Sequence, residues 1–291
     1  MRTLHIFALF VISISLGAGC TSQLATRAST KFEGPVGLQL YSLRGQFTRN
    51  VPETVAKVQG FGITEVELAG TYNLKPSVFK KLLTEAKLKP IAGHYSFDRF
   101  RKTPQALLDE GKELGLSYIG TAWVKGNGDF TPDDALKTAK TLNKAGEIFS
   151  QAGIKAYYHC HGYEFKVLDN LGRTPMDILI QETDPRYVTF EMDILWVQFP
   201  GQDPATWLRK YPDRWAMLHL KDLKKGVVTG DQGGGTDPNN DVTLGTGQMN
   251  WPKILKAAKE VGVKHYFIED ESARSVEQIP ASLTYLRTVT W

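Results

Sequence analysis

After Gly34 the chain repeats one local pattern eight times: a short β-rich run ending near polar residues, then a longer stretch with helical periodicity. The short runs are "VGLQLYS" (36–42), "ITEVELA" (63–69), "KPIAGHY" (89–95), "LSYIGTAW" (116–123), "IKAYYHCH" (154–161), "VTFEMDI" (188–194), "WAMLHLKD" (215–222) and "KHYFIED" (264–270). Helical stretches lie near 51–60, 76–87, 103–114, 132–152, 174–183, 203–210, 250–261 and 275–288. Several carry start signals, such as "TPDD" at 131–134 and "NWPK" at 250–253, where Asn250 can cap and Pro252 sits in the first turn.

Eight such units in ~250 residues have the size and order of a (βα)₈ barrel. The expected fold class is therefore α/β, a single (βα)₈ TIM barrel over 35–291. A doubly wound open sheet would carry a glycine-rich phosphate turn after its first strand, and "VGLQLYSLRGQ" has no G-x-G-x-x-G. With 42% hydrophobic residues the chain can build a sizeable core. A net charge of +4 with no long lysine or arginine run does not suggest nucleic-acid binding. The longest irregular stretch, 224–248, is rich in Gly, Asp and Asn, and would follow the seventh strand at the active face of a barrel.

The N-terminus reads differently. "MRTLHIFALFVISISLGAGC" has a basic start, an apolar run from Leu4 to Leu16 and then small residues, the pattern of a secretory signal over 1–19. Cys20 after Gly-Ala-Gly resembles a lipobox cysteine, although Gly17 stands where that pattern has leucine. The expectation is an exported protein on the periplasmic side of a bacterial envelope, with the membrane reached only through a lipid on Cys20; plain secretion and a transmembrane anchor are the alternatives. Residues 20–34 read as a polar tether. Cleavage before Cys20 leaves Cys160 as the only other cysteine, so no internal disulfide can form.

Barrel enzymes place their chemistry at the C-terminal ends of strands, and polar residues collect there. They are His94, Trp123, His159, His161, Glu164, Glu191, Asp193, His219, Lys221, Asp222, Glu269, Asp270 and Glu271. Nitrogen and oxygen donors without thiolates suit Mn²⁺, Co²⁺, Mg²⁺, Fe²⁺ or Zn²⁺. Period-two alternation puts His159 and His161 on one face and turns Cys160 toward the helices, as a small hydrophobe. Glu191 shares a face with Asp193 and could enter the site or be a buried structural carboxylate. Trp123, Tyr163, Phe165 and Trp196 could wall a sugar ring or simply pack.

At "GLQLYSLR", "GITEVELAG", "GHYSF", "YHCHGYEF", "EMDILWVQFPG", "LHLKDL", "LGTGQMNW" and "FIEDE" the chain resembles the xylose isomerase-like barrel superfamily of sugar isomerases, epimerases and inosose dehydratases. That resemblance implies a divalent metal held by Glu164, Asp193, His219 and Glu269. At the fifth strand, His159 stands where many relatives have a glutamate; Glu164, five residues on, is expected to turn back into that role, with His159 the rival ligand. Glu164 and Glu269 are the expected catalytic pair. His94, Trp123, His159, His161 and Lys221 are expected to bind substrate. Thr246 and Asn250 depart from the family loop, so no acid role passes to them.

A metal that polarises a sugar carbonyl makes the neighbouring C–H acidic, and a glutamate on each side can take and return the proton. The leading expectation is a metal-dependent isomerase or epimerase on a non-phosphorylated sugar or keto-sugar. The alternatives are a lyase or dehydratase on a 3-keto-sugar or 3-keto-glycoside, and a non-catalytic carbohydrate-binding lipoprotein. The partner in each is a small carbohydrate, and the oligomeric state, a homo-oligomer included, stays open.

Overall fold

The computed structural model describes residues 30–126 and 129–291. Eight parallel strands close into a barrel: β1 (Val36–Gln39), β2 (Glu65–Leu68), β3 (Lys89–His94), β4 (Tyr118–Thr121), β5 (Lys155–His159), β6 (Val188–Asp193), β7 (Trp215–Leu220) and β10 (His265–Ile268). Each pairs with its chain neighbour, and β10 closes on β1. Two short strands outside the barrel, β8 (Asp222–Leu223) and β9 (Asp241–Val242), form an antiparallel ladder at the base of the long loop after β7. A helix follows every barrel strand, as the periodicity implies, from Val51–Gly60 to Ser275–Thr288.

The strands are shorter than the β-rich runs because their ends coil. The first run stops at Gln39, where Leu40–Leu43 turns into a 3₁₀ helix and the Gln39 side chain accepts from Tyr41 N at 3.0 Å. Short extra helices at Arg44–Arg49, Phe97–Lys102 and Ile194–Gln198 follow β1, β3 and β6. These turns bring side chains over the mouth.

The core has two layers. A large one between barrel and helices includes Tyr158, Cys160, Tyr163 and Phe165. A small one inside the barrel consists of Ile91, Ala92, Tyr157, Met217 and Phe267. Cys160 thus packs on the helix side, as alternation implies. Above the inner plug, the alternating positions turn polar: Gln39, Glu67, His94, His159, Glu191, Asp193 and His219.

The expected signal at 1–19 and Cys20 lie outside the described residues. Of the expected tether, 30–34 is not free of the barrel. Thr30 N donates to Trp291 O at 3.0 Å, Trp291 N returns the bond at 3.1 Å, and Phe32 meets Tyr266 edge-on. Among the described residues, no helix is long and apolar enough to cross a membrane.

Gly120 on β4 admits the Tyr157 ring, which a Cβ there would overlap. Gly120→Ala should therefore cost about 1–3 kcal/mol by overpacking. A thermal midpoint unchanged in calorimetry would show that Tyr157 moves freely.

Candidate active site

Asp193, at the end of β6, uses its two oxygens differently. Oδ1 accepts from Trp196 N at 3.1 Å and caps the short helix there. Oδ2 is buried and, among the described residues, has no hydrogen-bond partner. Around it stand His219 Nδ1 at 3.8 Å, Lys221 Nζ at 3.9 Å and His159 Nε2 at 4.0 Å. Glu269 Oε2 lies 3.1 Å from His219 Nδ1. One ligand atom from each of Asp193, His219 and Glu269 falls within a 4.8 Å cluster. Ligands about 2.0–2.2 Å from a common cation stand roughly 3–3.5 Å apart, so small side-chain movements would let these three share an ion. The orphaned Asp193 oxygen fits the same reading, because a buried carboxylate oxygen needs a donor or a cation.

Beneath this set lies a layer of paired acids and imidazoles. His219 Nε2 hydrogen-bonds Glu67 Oε2. Glu67 also accepts from Gln39 Nε2 at 2.7 Å and from the Tyr157 hydroxyl. His159 Nδ1 lies 2.8 Å from Glu191 Oε2. His94 Nε2 spans the two acids, 3.2 Å from Glu67 Oε1 and 3.3 Å from Glu191 Oε2. Burial opposes charge on all of them. The imidazoles of His94 and His219 nevertheless hold Glu67 well below the carboxylate range. Burial and the nearby Glu67 push Glu191 up to about 7. Against burial, Glu67 and Glu191 raise His94 to about 9. His159 goes the other way: burial, with the cations around it, drives it well below its ordinary value.

Lys221 is almost fully enclosed. Its ammonium donates to Glu269 Oε2 at 3.0 Å and to Glu271 Oε1, with Asp241 Oδ2 at 3.7 Å. Burial penalises the charge, but those acids outweigh it and raise the Lys221 pKa. His161 stands beside the set, its ring centroid 4.8 Å from His159, 5.3 Å from Trp123 and 5.7 Å from Trp196. Its Nδ1 is buried with no hydrogen-bond partner among the described residues, and burial lowers its pKa to about 3, so the ring is neutral. Trp123 is half exposed at the rim. Asp222 takes no part: it accepts from the backbone of Gly245, Gly247 and Met249 and from Trp251 Nε1, which pins "LGTGQMNW".

Glu164, expected from the sequence to be a metal ligand and proton carrier, lies apart from both clusters. Gly162, at φ 95°, turns the chain so that Glu164 enters a 3₁₀ helix over the outside of β5. Its Oε1 accepts from the Tyr158 hydroxyl at 2.7 Å, and both oxygens take the His161 backbone N–H at 3.0 and 3.1 Å. Tyr158 belongs to the layer between barrel and helices, so Glu164 joins neither His–carboxylate cluster. Glu67 was the residue missed. In the sequence Glu65 and Glu67 merely share one face of the short strand β2, and it is the structure that turns this face inward.

A closed parallel barrel with histidines and carboxylates gathered at the strand ends has the architecture of barrel enzymes. Residues 56–289 match the xylose isomerase-like TIM barrel family, and the chain belongs to that family. The inosose dehydratase of Clostridium tetani is 35% identical over 100 residues, which are 34% of this chain and 32% of that relative. The chain thus matches about a third of the length of that curated relative. The crystal structure of a sugar phosphate isomerase/epimerase from Parabacteroides distasonis has a TM-score of 0.72 at 27% identity, over 87% of this chain and 93% of the other. IolI with a bound zinc atom shares the fold, with a TM-score of 0.67 at 12% identity over 86% and 96%.

Burial pushes the Glu164 carboxyl from 4.5 up to about 7, against the hydrogen bonds it accepts. A folded-state pKa above the unfolded one gives stability that is full below about 4.5 and is lost as pH rises through about 7. Between pH 4.5 and 7.5, Glu164→Gln should therefore gain on the wild type by up to about 3 kcal/mol. Denaturant titrations across that range check this, and a pH-independent difference would contradict the burial argument.

Proposed function

We propose that this chain is a divalent-metal-dependent, sugar-modifying lyase. In this reading it takes a proton next to a carbonyl and expels the oxygen at the β-carbon of a non-phosphorylated keto-sugar. The observation that carries this is the position of Glu164. Epimerisation by two glutamates needs one on each side of the substrate, and here Glu164 is tied to Tyr158 and the His161 backbone, away from the mouth. The site instead offers the His161 imidazole and the Lys221 ammonium, both beside Trp196. The dehydratase names of the curated relatives support the same outcome.

Asp193, His219 and Glu269 would hold the metal, which when bound supplies Lewis acidity to the substrate carbonyl. His161, whose Nδ1 has no protein partner, takes the α-proton. The electrons of that C–H bond form the new double bond as the β-C–O bond breaks. Lys221, held by Glu269 and Glu271, gives a hydrogen bond and then a proton to the departing oxygen, which leaves as water. Trp123 and Trp196 flank His161 and shield the reacting carbon from solvent. A second reading, isomerisation or epimerisation, is favoured by the name of the Parabacteroides relative.

Metal-replete protein incubated with keto-sugars and keto-inositols in heavy water, followed by NMR, separates the two readings. Elimination should give an unsaturated product with loss of water. Deuterium at the α-carbon with a new epimer and no loss of water would favour the second reading. His161→Gln should slow turnover roughly 10²–10⁴-fold with metal content unchanged, and an unaffected rate would exclude the imidazole as base.

We propose further, on the N-terminal sequence alone, that the protein is exported and lipid-anchored at Cys20. Cys20→Ala should abolish incorporation of labelled fatty acid and release the chain from the membrane fraction.

A further inference from the structure

We infer that the fourth position of the metal set belongs to His159. The centre is then a two-imidazole, two-carboxylate site suited to Zn²⁺, Fe²⁺ or Co²⁺ rather than Mg²⁺ or Mn²⁺. Glu67 and Glu191 are its positioning residues. This rests on the reading that Asp193, His219 and Glu269 hold a metal.

His159 and His219 each turn one ring nitrogen toward Asp193. His219 gives Nε2 to Glu67, so Nδ1 faces Glu269 and Asp193. His159 gives Nδ1 to Glu191, so Nε2 faces Asp193 Oδ2. The two rings lie 4.5 Å apart, centroid to centroid. Each imidazole is thus held from behind by a fully buried carboxylate and turns its other nitrogen toward the same oxygen. A histidine that binds a metal commonly donates its second N–H to a carboxylate, which fixes both tautomer and ring orientation.

His94, His159, Glu191 and His219 also lie close enough to suggest an ion of their own. Their geometry is that of a hydrogen-bonded layer. His159 Nδ1, His219 Nε2 and His94 Nε2 all converge on one oxygen, Glu191 Oε2, at 2.8, 3.2 and 3.3 Å. His219 Nε2 is in addition bonded to Glu67. This group is the support beneath a single centre.

The donor types then select the ion. Imidazole nitrogen suits zinc and iron, whereas magnesium and manganese favour oxygen. With His159 in place of a carboxylate, the ligand set carries two negative charges instead of three, which leaves a divalent ion neutralised but not overcharged.

Zinc outbinds manganese at most sites, so the diagnostic quantity is the change in their affinity ratio. Chelator-stripped full-length protein is titrated with Zn²⁺, Co²⁺, Mn²⁺ and Mg²⁺, and the visible absorption of the Co²⁺ form is recorded. Wild type should bind one Zn²⁺ or Co²⁺ per chain. His159→Glu, which restores a carboxylate, should lower the Zn²⁺/Mn²⁺ affinity ratio at least tenfold and shift the Co²⁺ spectrum. Glu67→Gln and Glu191→Gln should each weaken Zn²⁺ about 10–100-fold with one ion per chain retained. An unchanged ratio and spectrum in His159→Glu, two ions per chain, or unaltered affinity in both glutamine variants would overturn the inference. Failure of every ion to bind would instead remove the underlying metal reading, and this inference with it.

Discussion

The structure depends on how ionised groups are carried inside a closed barrel. Burying a charge is costly unless it meets a partner in good geometry. Here Glu67, Glu191, Asp193 and His219 all lie out of contact with solvent. Glu67 is satisfied by Gln39, Tyr157 and His219 together, and His94 bridges it to Glu191. Removing any member would strand a charge, so the layer holds its residues in one arrangement. Its upper surface is the site. Two of the imidazoles it grips, His159 and His219, turn their other nitrogens toward Asp193 Oδ2, which has no hydrogen-bond partner among the described residues.

A second set of buried acids shapes the mouth. Asp222 gathers three backbone N–H groups and the Trp251 indole, and the loop from Gly245 to Trp251 wraps around it. Gly247 is required there because a Cβ would collide with the Asp222 carboxylate. Asp241, on β9, accepts from Glu271 N and faces Lys221, which ties the long loop after β7 to the turn after β10. Lys221 therefore acts on the site and on the loops at once. The cap of Asp193 on Trp196 works the same way, fixing the carboxylate and the neighbouring indole together.

Much of this was legible in the sequence. The eight-fold alternation foretold the barrel, and the helix limits agree to within a few residues. Strand periodicity and the order of strands send Asp193, His219 and the acids after the eighth strand to one mouth, and the family resemblance singles out Glu269 among those acids. Alternation also turned Cys160 outward correctly. Glu67 escaped notice because "ITEVELAG" reads as an ordinary amphipathic strand with two solvent-facing acids. Nothing local says that this face looks into the barrel rather than into water.

Glu164 shows the opposite limit. Five residues from His159, it could reach the mouth or the outer layer, and the choice lay in the turn at Gly162 and in the Tyr158 hydroxyl waiting beneath it. The sequence by itself determined the barrel, the strand ends that bear the chemistry and the kinds of donor available. Tertiary structure alone decided which glutamate joins the histidine layer, which stays outside it and which ring nitrogen His159 and His219 turn toward Asp193. The placing of Glu67 and of the histidines turns on hydrogen bonds between residues 28 to 152 positions apart, such as Gln39–Glu67 and His219–Glu67. Local periodicity carries no information about such partners.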